Sequence, residues 1–262
     1  MKDKLLFPIS SIRSGLLPST VTSLEGLDYH GDCRFAAEAG GDFFDCVPVS
    51  NGGLRCSIGD VPGFGAGMPL LTSGLQALLR GLSGQSYRDT RSIAQELNRF
   101  VYDLSDSDAY VTLFHATIDP IKRQLEYVNA GHEAVLLIRS HTGRVERLER
   151  TGTVLGLSRR ADYIPRIVPL DAGDTLIGFT DGVTDAIDRT GTTFGEAGIL
   201  RVVRDYATAS AIELVSAILE TVDRASGWGQ EQDRTVVVIR LMGAARHDTH
   251  AEETEELAFS AA

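Results

Sequence analysis

GGDFFDCVPVSNGGLRCSIGDV, residues 40 to 61, contains two short β-favouring runs separated by Asn51-Gly52-Gly53. Asn-Gly is a strong signal for a tight hairpin turn, because both residues tolerate positive φ angles. A further β-favouring run begins at Gly31, and Gly40-Gly41 separates it from these two. The stretch therefore predicts an antiparallel hairpin, with Asp42 just before its first strand and Asp60 at the end of its second.

Patterns of the same kind continue along the chain. Helices are predicted from about Ala66 to Leu82 and from Asp89 to Ser105, because apolar residues recur there at helical spacing. A block of alternating or β-branched runs then predicts strands, separated by turns such as Asp119-Pro120. These predicted strands are Tyr110 to Ile118, Gln124 to Asn129, Ala134 to Arg139, Arg144 to Leu148, Tyr163 to Val168 and Thr175 to Phe179.

The last third of the chain predicts two helices, Phe194 to Tyr206 and Ser210 to Ala225, and a β-branched strand from Thr235 to Leu241. Runs of antiparallel strands interrupted by two helical pairs favour an α+β class, in which sheets pack together and helices cover their outer faces. At 262 residues and 43% hydrophobic, the chain is long enough for one substantial core. We predict a single domain.

Charge excludes some classes of partner. The formal net charge is -11 and the sequence pI is about 5.0, so the far field repels nucleic acid and anionic membrane surfaces. The same field repels phosphate esters, so phosphate chemistry would require a local positive charge, which bound metal can supply. Three cysteines without a close pair, no long apolar run and no signal-peptide pattern favour a cytoplasmic protein with free thiols.

Four aspartates lie at predicted strand ends or in glycine-rich turns: Asp42, Asp60, Asp181 and Asp233. A carboxylate at the end of a buried strand loses hydration, which is costly unless it is hydrogen-bonded, paired or bound to metal. Oxygen ligands without a His or Cys cluster favour Mg²⁺ or Mn²⁺ over zinc. A single Asp-Gly is more often a turn than a ligand, so the hypothesis depends on the whole set converging.

Six motifs in order resemble the PPM-type (type 2C) serine/threonine phosphatases, in the bacterial branch typified by RsbU and SpoIIE. The similarity runs from about Leu16 to Leu241. The motifs are GGDFFD at 40 to 45, GDVPGFG at 59 to 65, YVTLF at 110 to 114, NAGH at 129 to 132, TDGVTDA at 180 to 186 and QDRTVVV at 232 to 238.

The resemblance implies a four-layer α-β-β-α sandwich of two antiparallel sheets flanked by helical pairs. It also implies two Mn²⁺ or Mg²⁺ ions and hydrolysis by metal-activated water without a phosphoenzyme. By motif, Asp60 would bridge the metals with help from the Val61 carbonyl, Asp181 would hold the second metal, and Asp42 would bind directly or through water. Asp45 would have a supporting or structural role.

Domain boundaries follow from the same resemblance: a lead segment at 1 to 15, the phosphatase domain at 16 to 242, and an acidic tail at 243 to 262. The tail is small and polar, which predicts disorder.

Two positions depart from the family pattern. Its last motif usually carries Asp-Asp, with the first Asp as the ligand, whereas this chain has Gln232 and then Asp233. A neutral amide oxygen is a weaker ligand, so the second metal would bind poorly unless Asp233 substitutes. The second departure is Pro62, where Ser commonly follows the GDV motif; it stiffens that turn.

Five further residues have less specific interpretations. His132 is as consistent with a turn histidine that satisfies backbone groups as with a substrate contact. We interpret His115 as structural, because it lies within a strand pattern. Trp228 fits either a loop contact or a core position. Arg34 and Arg234 are candidate phosphate clamps.

Three hypotheses for function remain from the sequence. The first is a phosphatase for phosphoserine or phosphothreonine in a protein, with a phosphorylated anti-sigma-factor antagonist as the substrate that the resemblance suggests, and a homodimer as an open possibility. The second is a catalytically weak phosphatase-fold module that binds a phosphorylated partner. The third, an aspartyl-nucleophile phosphotransferase, needs an aspartate two positions after Asp181, where this chain has Val183.

Overall fold

The computed structural model describes residues 24–36, 40–63, 67–85, 87–104, 109–226 and 232–243. Within these ranges the chain forms strands and helices in the following order: β1 (Leu27–Arg34), β2 (Phe43–Pro48), β3 (Leu54–Asp60), α1 (Gly67–Ser83), α2 (Thr90–Leu104), β4 (Thr112–Asp119), β5 (Gln124–Ala130), β6 (Val135–Ile138), β7 (Val145–Leu148), β8 (Arg166–Pro169), β9 (Thr175–Phe179), α3 (Asp181–Thr184), α4 (Gly195–Asp205), α5 (Ala211–Ala225) and β10 (Arg234–Leu241).

The strands form two five-stranded sheets. One has the order β1-β10-β9-β6-β7 and the other has the order β2-β3-β4-β5-β8. Every strand pair is antiparallel. Strands that are distant in sequence are neighbours in the first sheet, since β1 pairs with β10 along its whole length. At this edge, the first sheet therefore joins chain segments that lie about 200 residues apart in the sequence.

Side chains of the last strand show how the layers pack. Val236 and Val238 belong to the apolar cluster shared with α4 and α5, whereas Val237 and Ile239 belong to the cluster shared with the second sheet. This alternation follows from the two-residue period of a strand. β10 is therefore buried on both faces, which explains its continuous β-branched sequence.

The second sheet is covered in the same way. Phe43, Leu113 and Val128 pack with Leu75 of α1 and Leu97 of α2 in a third apolar cluster. The order of layers is thus α1 and α2, second sheet, first sheet, and α4 and α5. The predicted four-layer α-β-β-α sandwich is confirmed.

Most predicted elements occur within a few residues of their predicted bounds, and two differ. The run from Tyr163 forms a strand only from Arg166, because Tyr163 is instead a fully buried side chain in the cluster beneath α1 and α2. The short helix α3 was not predicted. It follows directly from the end of β9, where the TDG motif resembles a simple turn.

Some predictions fall outside the described residues. Trp228 and the predicted tail beyond 243 belong to them, as does the proposed lead segment at 1 to 15. Among the residues that are described, no helix combines the length and apolar character that crossing a membrane requires.

His115 lies on β4 and is completely buried. Its Nδ1 atom shares a hydrogen bond of 2.7 Å with the Ser57 hydroxyl, and its Nε2 atom has no hydrogen-bond partner among the described residues. Burial, with a smaller contribution from the nearby Arg55 charge, lowers the pKa of His115 to about 3. The folded protein therefore holds a neutral imidazole here.

This pKa predicts a specific dependence of stability on pH. An unfolded histidine titrates near about 6.5, so between pH 6.5 and pH 3 the unfolded chain binds one more proton than the folded chain at this position. Stability is therefore lost as the pH falls below 6.5, by about 1.4 kcal/mol per pH unit. His115→Asn should remove that contribution from the slope of unfolding free energy against pH, measured by urea denaturation from pH 7.5 to 5.

The matched control is His141→Asn, which changes an exposed turn residue. It should leave the slope unchanged. An identical slope for wild type and His115→Asn would show that His115 is not held neutral.

Candidate metal centre

Asp42 connects the two sheets. It directly precedes β2, in the second sheet, and only 2% of its surface is exposed. Its Oδ2 atom accepts hydrogen bonds from the hydroxyls of Thr180 (2.6 Å) and Thr235 (2.7 Å). These threonines lie just after β9 and at the start of β10, in the first sheet. One carboxylate oxygen thus ties the hairpin to the strand ends of the opposite sheet.

Asp60 lies at the end of β3, beside Asp42, and the two carboxyl groups share a hydrogen bond. Burial, followed by the charges of Asp181 and Asp233, raises the pKa of Asp60 to about 6. Burial and the Asp60 charge likewise raise the pKa of Asp42 well above its usual range, although the two threonine hydrogen bonds oppose this shift. The site therefore concentrates negative charge where water is scarce.

Glycines allow this close approach. A Cβ atom added to Gly41 would lie 2.2 Å from the Val61 carbonyl oxygen and 2.7 Å from Asp60 Oδ1. A Cβ atom added to Gly40 would lie 1.6 Å from Asp233 Oδ2. All three distances are shorter than real contacts of a Cβ atom. At Gly41 the nearest atom belongs to the backbone, so only glycine fits there, whereas a side chain at position 40 would displace the Asp233 carboxylate. The GGD motif is required by the packing of the site as well as by the turn.

Asp181 begins the short helix α3 directly after β9. Burial raises its pKa, and the charges of Asp185 and Asp233 add to this effect. The next residue, Gly182, packs against the neighbouring segment, because a Cβ atom there would lie 2.0 Å from the Asp233 carbonyl oxygen. Asp181 and Asp233 are therefore brought together by the pairing of β9 with β10.

Asp233 is held by backbone groups. Its Oδ1 atom accepts a hydrogen bond from the amide of Ala36 (2.9 Å) and its Oδ2 atom accepts one from the amide of Asp42 (3.3 Å). Each carboxylate oxygen has a second lone pair, so these bonds still leave Asp233 capacity for a cation. The adjacent Gln232 is exposed.

The donor set fits a hard divalent cation. Aspartate oxygens and the Val61 carbonyl oxygen are the ligand type that Mg²⁺ and Mn²⁺ prefer. The described part of the chain contains no ready set of three His, Cys, Asp or Glu side chains around one ion position. Magnesium does not require one, because it is usually held by one or two carboxylates and retains several waters. An ion at this site would accordingly be held by one or two carboxylates and by solvent.

His132 has a structural position. Only 2% of its surface is exposed, its amide donates to Asn129 Oδ1 (2.9 Å), and its Nδ1 atom bonds the Thr112 hydroxyl (3.0 Å). Burial lowers its pKa to about 4, although the nearby Phe179 carbonyl opposes this shift. Thr112 is the register partner of Asp60. His132 is therefore bonded to the residue that lies opposite Asp60 on the neighbouring strand.

Asp45 and the two candidate clamp arginines also have partners. Asp45 accepts two hydrogen bonds from Arg80 of α1, at 2.8 and 3.0 Å, which agrees with the structural role expected for it. Arg34 and Arg234 both bind Asp223 near the end of α5. The structure thus places these arginines in an ion-pair cluster with Asp223.

Thr180 and Thr235 were missed in the sequence. The signal was available, because each hydroxyl residue adjoins or closely follows a motif aspartate, in Thr180-Asp181 and Asp233-Arg234-Thr235. Only the opposing positions of two strand ends reveal that both hydroxyls bond one carboxylate of a third segment.

Two packed antiparallel sheets, helices on both outer faces and aspartates gathered at the strand ends define a PP2C-like domain. The SiaA-PP2C domain of Pseudomonas aeruginosa has the same fold, with a TM-score of 0.75 and 22% sequence identity over 88% of this chain and 93% of that domain. The family model described as Stage II sporulation protein E (SpoIIE) matches residues 50–242. The chain belongs to the SpoIIE family.

Curated relatives agree with this assignment. Protein IcfG of Synechocystis is 28% identical over 254 residues, covering 87% of this chain and 40% of IcfG. Phosphoserine phosphatase RsbU of Bacillus subtilis is 28% identical over 232 residues, covering 88% of this chain and 68% of RsbU. The chain therefore spans less than half of one relative and about two thirds of the other.

The aspartates of the site repel one another, so without a bound cation we expect the site to lower the free energy of unfolding. In protein kept free of divalent ions by a chelator, Asp60→Asn should raise the free energy of unfolding by about 1 kcal/mol or more. The change removes a charge that faces Asp181 and Asp233, and the new amide can donate to Asp42. Urea denaturation at pH 7.5 measures the difference.

Asp205→Asn is the control, because Asp205 is an exposed aspartate at the end of α4, outside the motifs that carry the site. It should change stability by less than about 0.5 kcal/mol. If Asp60→Asn proved less stable than Asp205→Asn, charge repulsion would not dominate at the site.

Proposed function

We propose that this chain hydrolyses phosphoserine or phosphothreonine in a protein substrate, with two Mn²⁺ or Mg²⁺ ions as cofactors. The observation that carries the proposal is the gathering of carboxylates from four separate segments of the chain. Asp42, Asp60, Asp181 and Asp233 interact with one another at the ends of strands from both sheets. A purely structural role for so many like charges would be costly.

Bound divalent ions would lower the pKa of water and neutralise phosphate charge, which is the chemistry that hydrolysis of a phosphate ester requires. In this proposal Asp60 and the Val61 carbonyl would help to hold both ions. Asp181 and Asp233 would hold the second ion, and Asp42 would contribute directly or through water. The threonine hydrogen bonds fix the Asp42 carboxylate in position, so its geometry is set before any ion binds.

Electrostatics supports a metal requirement. The chain carries a formal net charge of -11, and both candidate clamp arginines are bonded to Asp223. An anionic phosphoester approaching this site would be repelled unless cations offset the aspartates. Metal binding and substrate binding are therefore expected to be coupled.

The substrate class rests on relatives. RsbU carries the name phosphoserine phosphatase, and the family match covers residues 50–242. We propose that the substrate is a phosphorylated protein of the anti-sigma-factor antagonist type, encountered in the cytoplasm. Regulation through α1 and α2 is part of this proposal, because Arg80 of α1 binds Asp45 within the hairpin that carries Asp42 and Asp60.

One observation favours a second function. Gln232 occupies the position where the family usually has an aspartate, so one carboxylate fewer is available to the second ion. A weakly loaded second metal would convert the domain into a module that binds a phosphorylated partner without efficient turnover. The aspartyl-nucleophile alternative lacks support, because Val183 is fully buried in the apolar cluster with α4 and α5.

Activity distinguishes these functions. We expect Mn²⁺-stimulated hydrolysis of para-nitrophenyl phosphate and of a phosphoserine peptide. Asp60→Asn and Asp181→Asn should each lower the rate at least about 100-fold, since each removes a proposed ion ligand. Asp205→Asn, the exposed control on α4, should keep the wild-type rate. Turnover that persists in a chelator would contradict the proposed mechanism.

Calorimetry with Mn²⁺ tests the role of Gln232. Two ions bound at micromolar affinity would reject the binding module. Weak binding of the second ion that Gln232→Asp strengthens about tenfold or more, together with a faster rate, would support it, because a carboxylate is a stronger ligand than an amide.

A further inference from the structure

Cys46 and Cys56 are directly opposed in the hairpin of β2 and β3. They are register partners, and their Sγ atoms lie 3.3 Å apart. Cys56 is buried, whereas Cys46 on the outermost strand of the second sheet is only partly covered. The third cysteine, Cys33, is on β1 of the other sheet, where its register partner is Thr235. Two thiols therefore face each other and one does not.

Hydrogen bonding identifies the type of this cross-strand pair. The Val49 amide donates to the Gly53 carbonyl (2.9 Å), so this pair beside the turn is hydrogen-bonded. Hydrogen-bonded and non-hydrogen-bonded pairs alternate along an antiparallel ladder. The pairs at 47 and 55 and at 45 and 57 are therefore hydrogen-bonded, and Cys46 with Cys56 is a non-hydrogen-bonded pair. Such pairs have Cα atoms about 4.5 Å apart, which lies within the range of about 4.4–6.8 Å for disulfides.

We propose that Cys46 and Cys56 are an oxidation site that forms a reversible cross-strand disulfide within the hairpin. A peroxide would oxidise the partly exposed Cys46 thiol to a sulfenic acid and release one molecule of water or alcohol. The Cys56 sulfur would then attack the Cys46 sulfur, forming the S–S bond as a second water leaves. The two thiols lose two electrons and two protons in total, and the peroxide accepts them.

The surroundings of the two thiols slow their oxidation, and the disulfide would form without changing the rest of the hairpin. The hydrogen bond with Cys56 and burial raise the pKa of the Cys46 thiol well above its usual range, so little thiolate is present and oxidation is slow. Forming the bond brings the sulfurs from 3.3 Å to about 2.05 Å. The strands already have the spacing that a disulfide needs, so the hairpin retains its register.

The disulfide would cross-link β2 and β3 between the turn of the hairpin and the end that carries Asp42 and Asp60. Asp42 precedes β2 and Asp60 ends β3, so the S–S bond would join the two strands that position both carboxylates. It would also protect both sulfurs from irreversible oxidation, because a sulfenic acid with a resolving thiol beside it proceeds to a disulfide. This inference does not depend on the proposed phosphatase activity.

The test uses the full chain, treated with hydrogen peroxide and then alkylated under denaturing conditions. Intact mass should show the loss of two hydrogen atoms per chain, about 2 Da, with one thiol left to alkylate. Peptide mapping should find a 46–56 cross-link that dithiothreitol reverses. The oxidised monomer should melt about 5 °C higher than the reduced one, because the bond restricts the unfolded chain.

Substitution of each cysteine in turn identifies the two that react. Independent changes at Cys46 and Cys56 keep the test decisive even if one variant folds poorly. Cys33→Ser should still form the cross-link and leave no thiol to alkylate. Cys46→Ser should form none, and Cys56→Ala, an independent change on the other strand, should also form none. A cross-link that includes Cys33, a disulfide between two chains, or stable sulfinic acid at Cys46 in the wild type would overturn the proposal.

Discussion

The buried carboxylate of Asp42 is the contact on which the arrangement of the site depends. Its Oδ2 atom accepts hydroxyl hydrogen bonds from Thr180 and Thr235, which lie in the sheet opposite the hairpin that carries Asp42. A carboxylate that is 2% exposed needs such partners, because burying it without them would cost several kcal/mol. The bonds thus fix how the two sheets face each other at the end where the aspartates gather.

The same end of the sandwich concentrates like charges. Burial raises the pKa of Asp42, Asp60 and Asp181, and neighbouring aspartates add to each shift. A fold tolerates this because three apolar clusters, one between the sheets and one beneath each helical pair, stabilise the layers independently of the site. The apolar packing of the domain therefore offsets the repulsion among the aspartates.

Hydrogen bonds and ion pairs connect both outer helix layers to the sheets. Arg80 of α1 binds Asp45, and Gln76 of the same helix donates to the Phe44 carbonyl (3.2 Å). On the opposite side of the sandwich, the ion pairs of Asp223 with Arg34 and Arg234 connect α5 to β1 and β10. Both outer helix layers are therefore bonded to strands whose ends lie at or next to the aspartates.

The sequence by itself determined the class, nearly all the elements and the identity of the aspartates. Period-two runs, helical apolar stripes and glycine-marked turns depend on local interactions, so they are readable along the chain. The motif order then predicted the four layers. Tyr163 and the helix that begins at Asp181 were misjudged, because packing against distant residues overrides local preference at both positions.

Only the tertiary structure decided how the site is assembled. The sharing of Asp42 by Thr180 and Thr235, the use of Asp233 to hold two backbone amides, and the facing thiols of Cys46 and Cys56 all join segments that strand register brings together. Register fixes which side chains face each other, and no short stretch of sequence contains it. The chain therefore specifies its ligand candidates locally, and their relation to one another only through the fold.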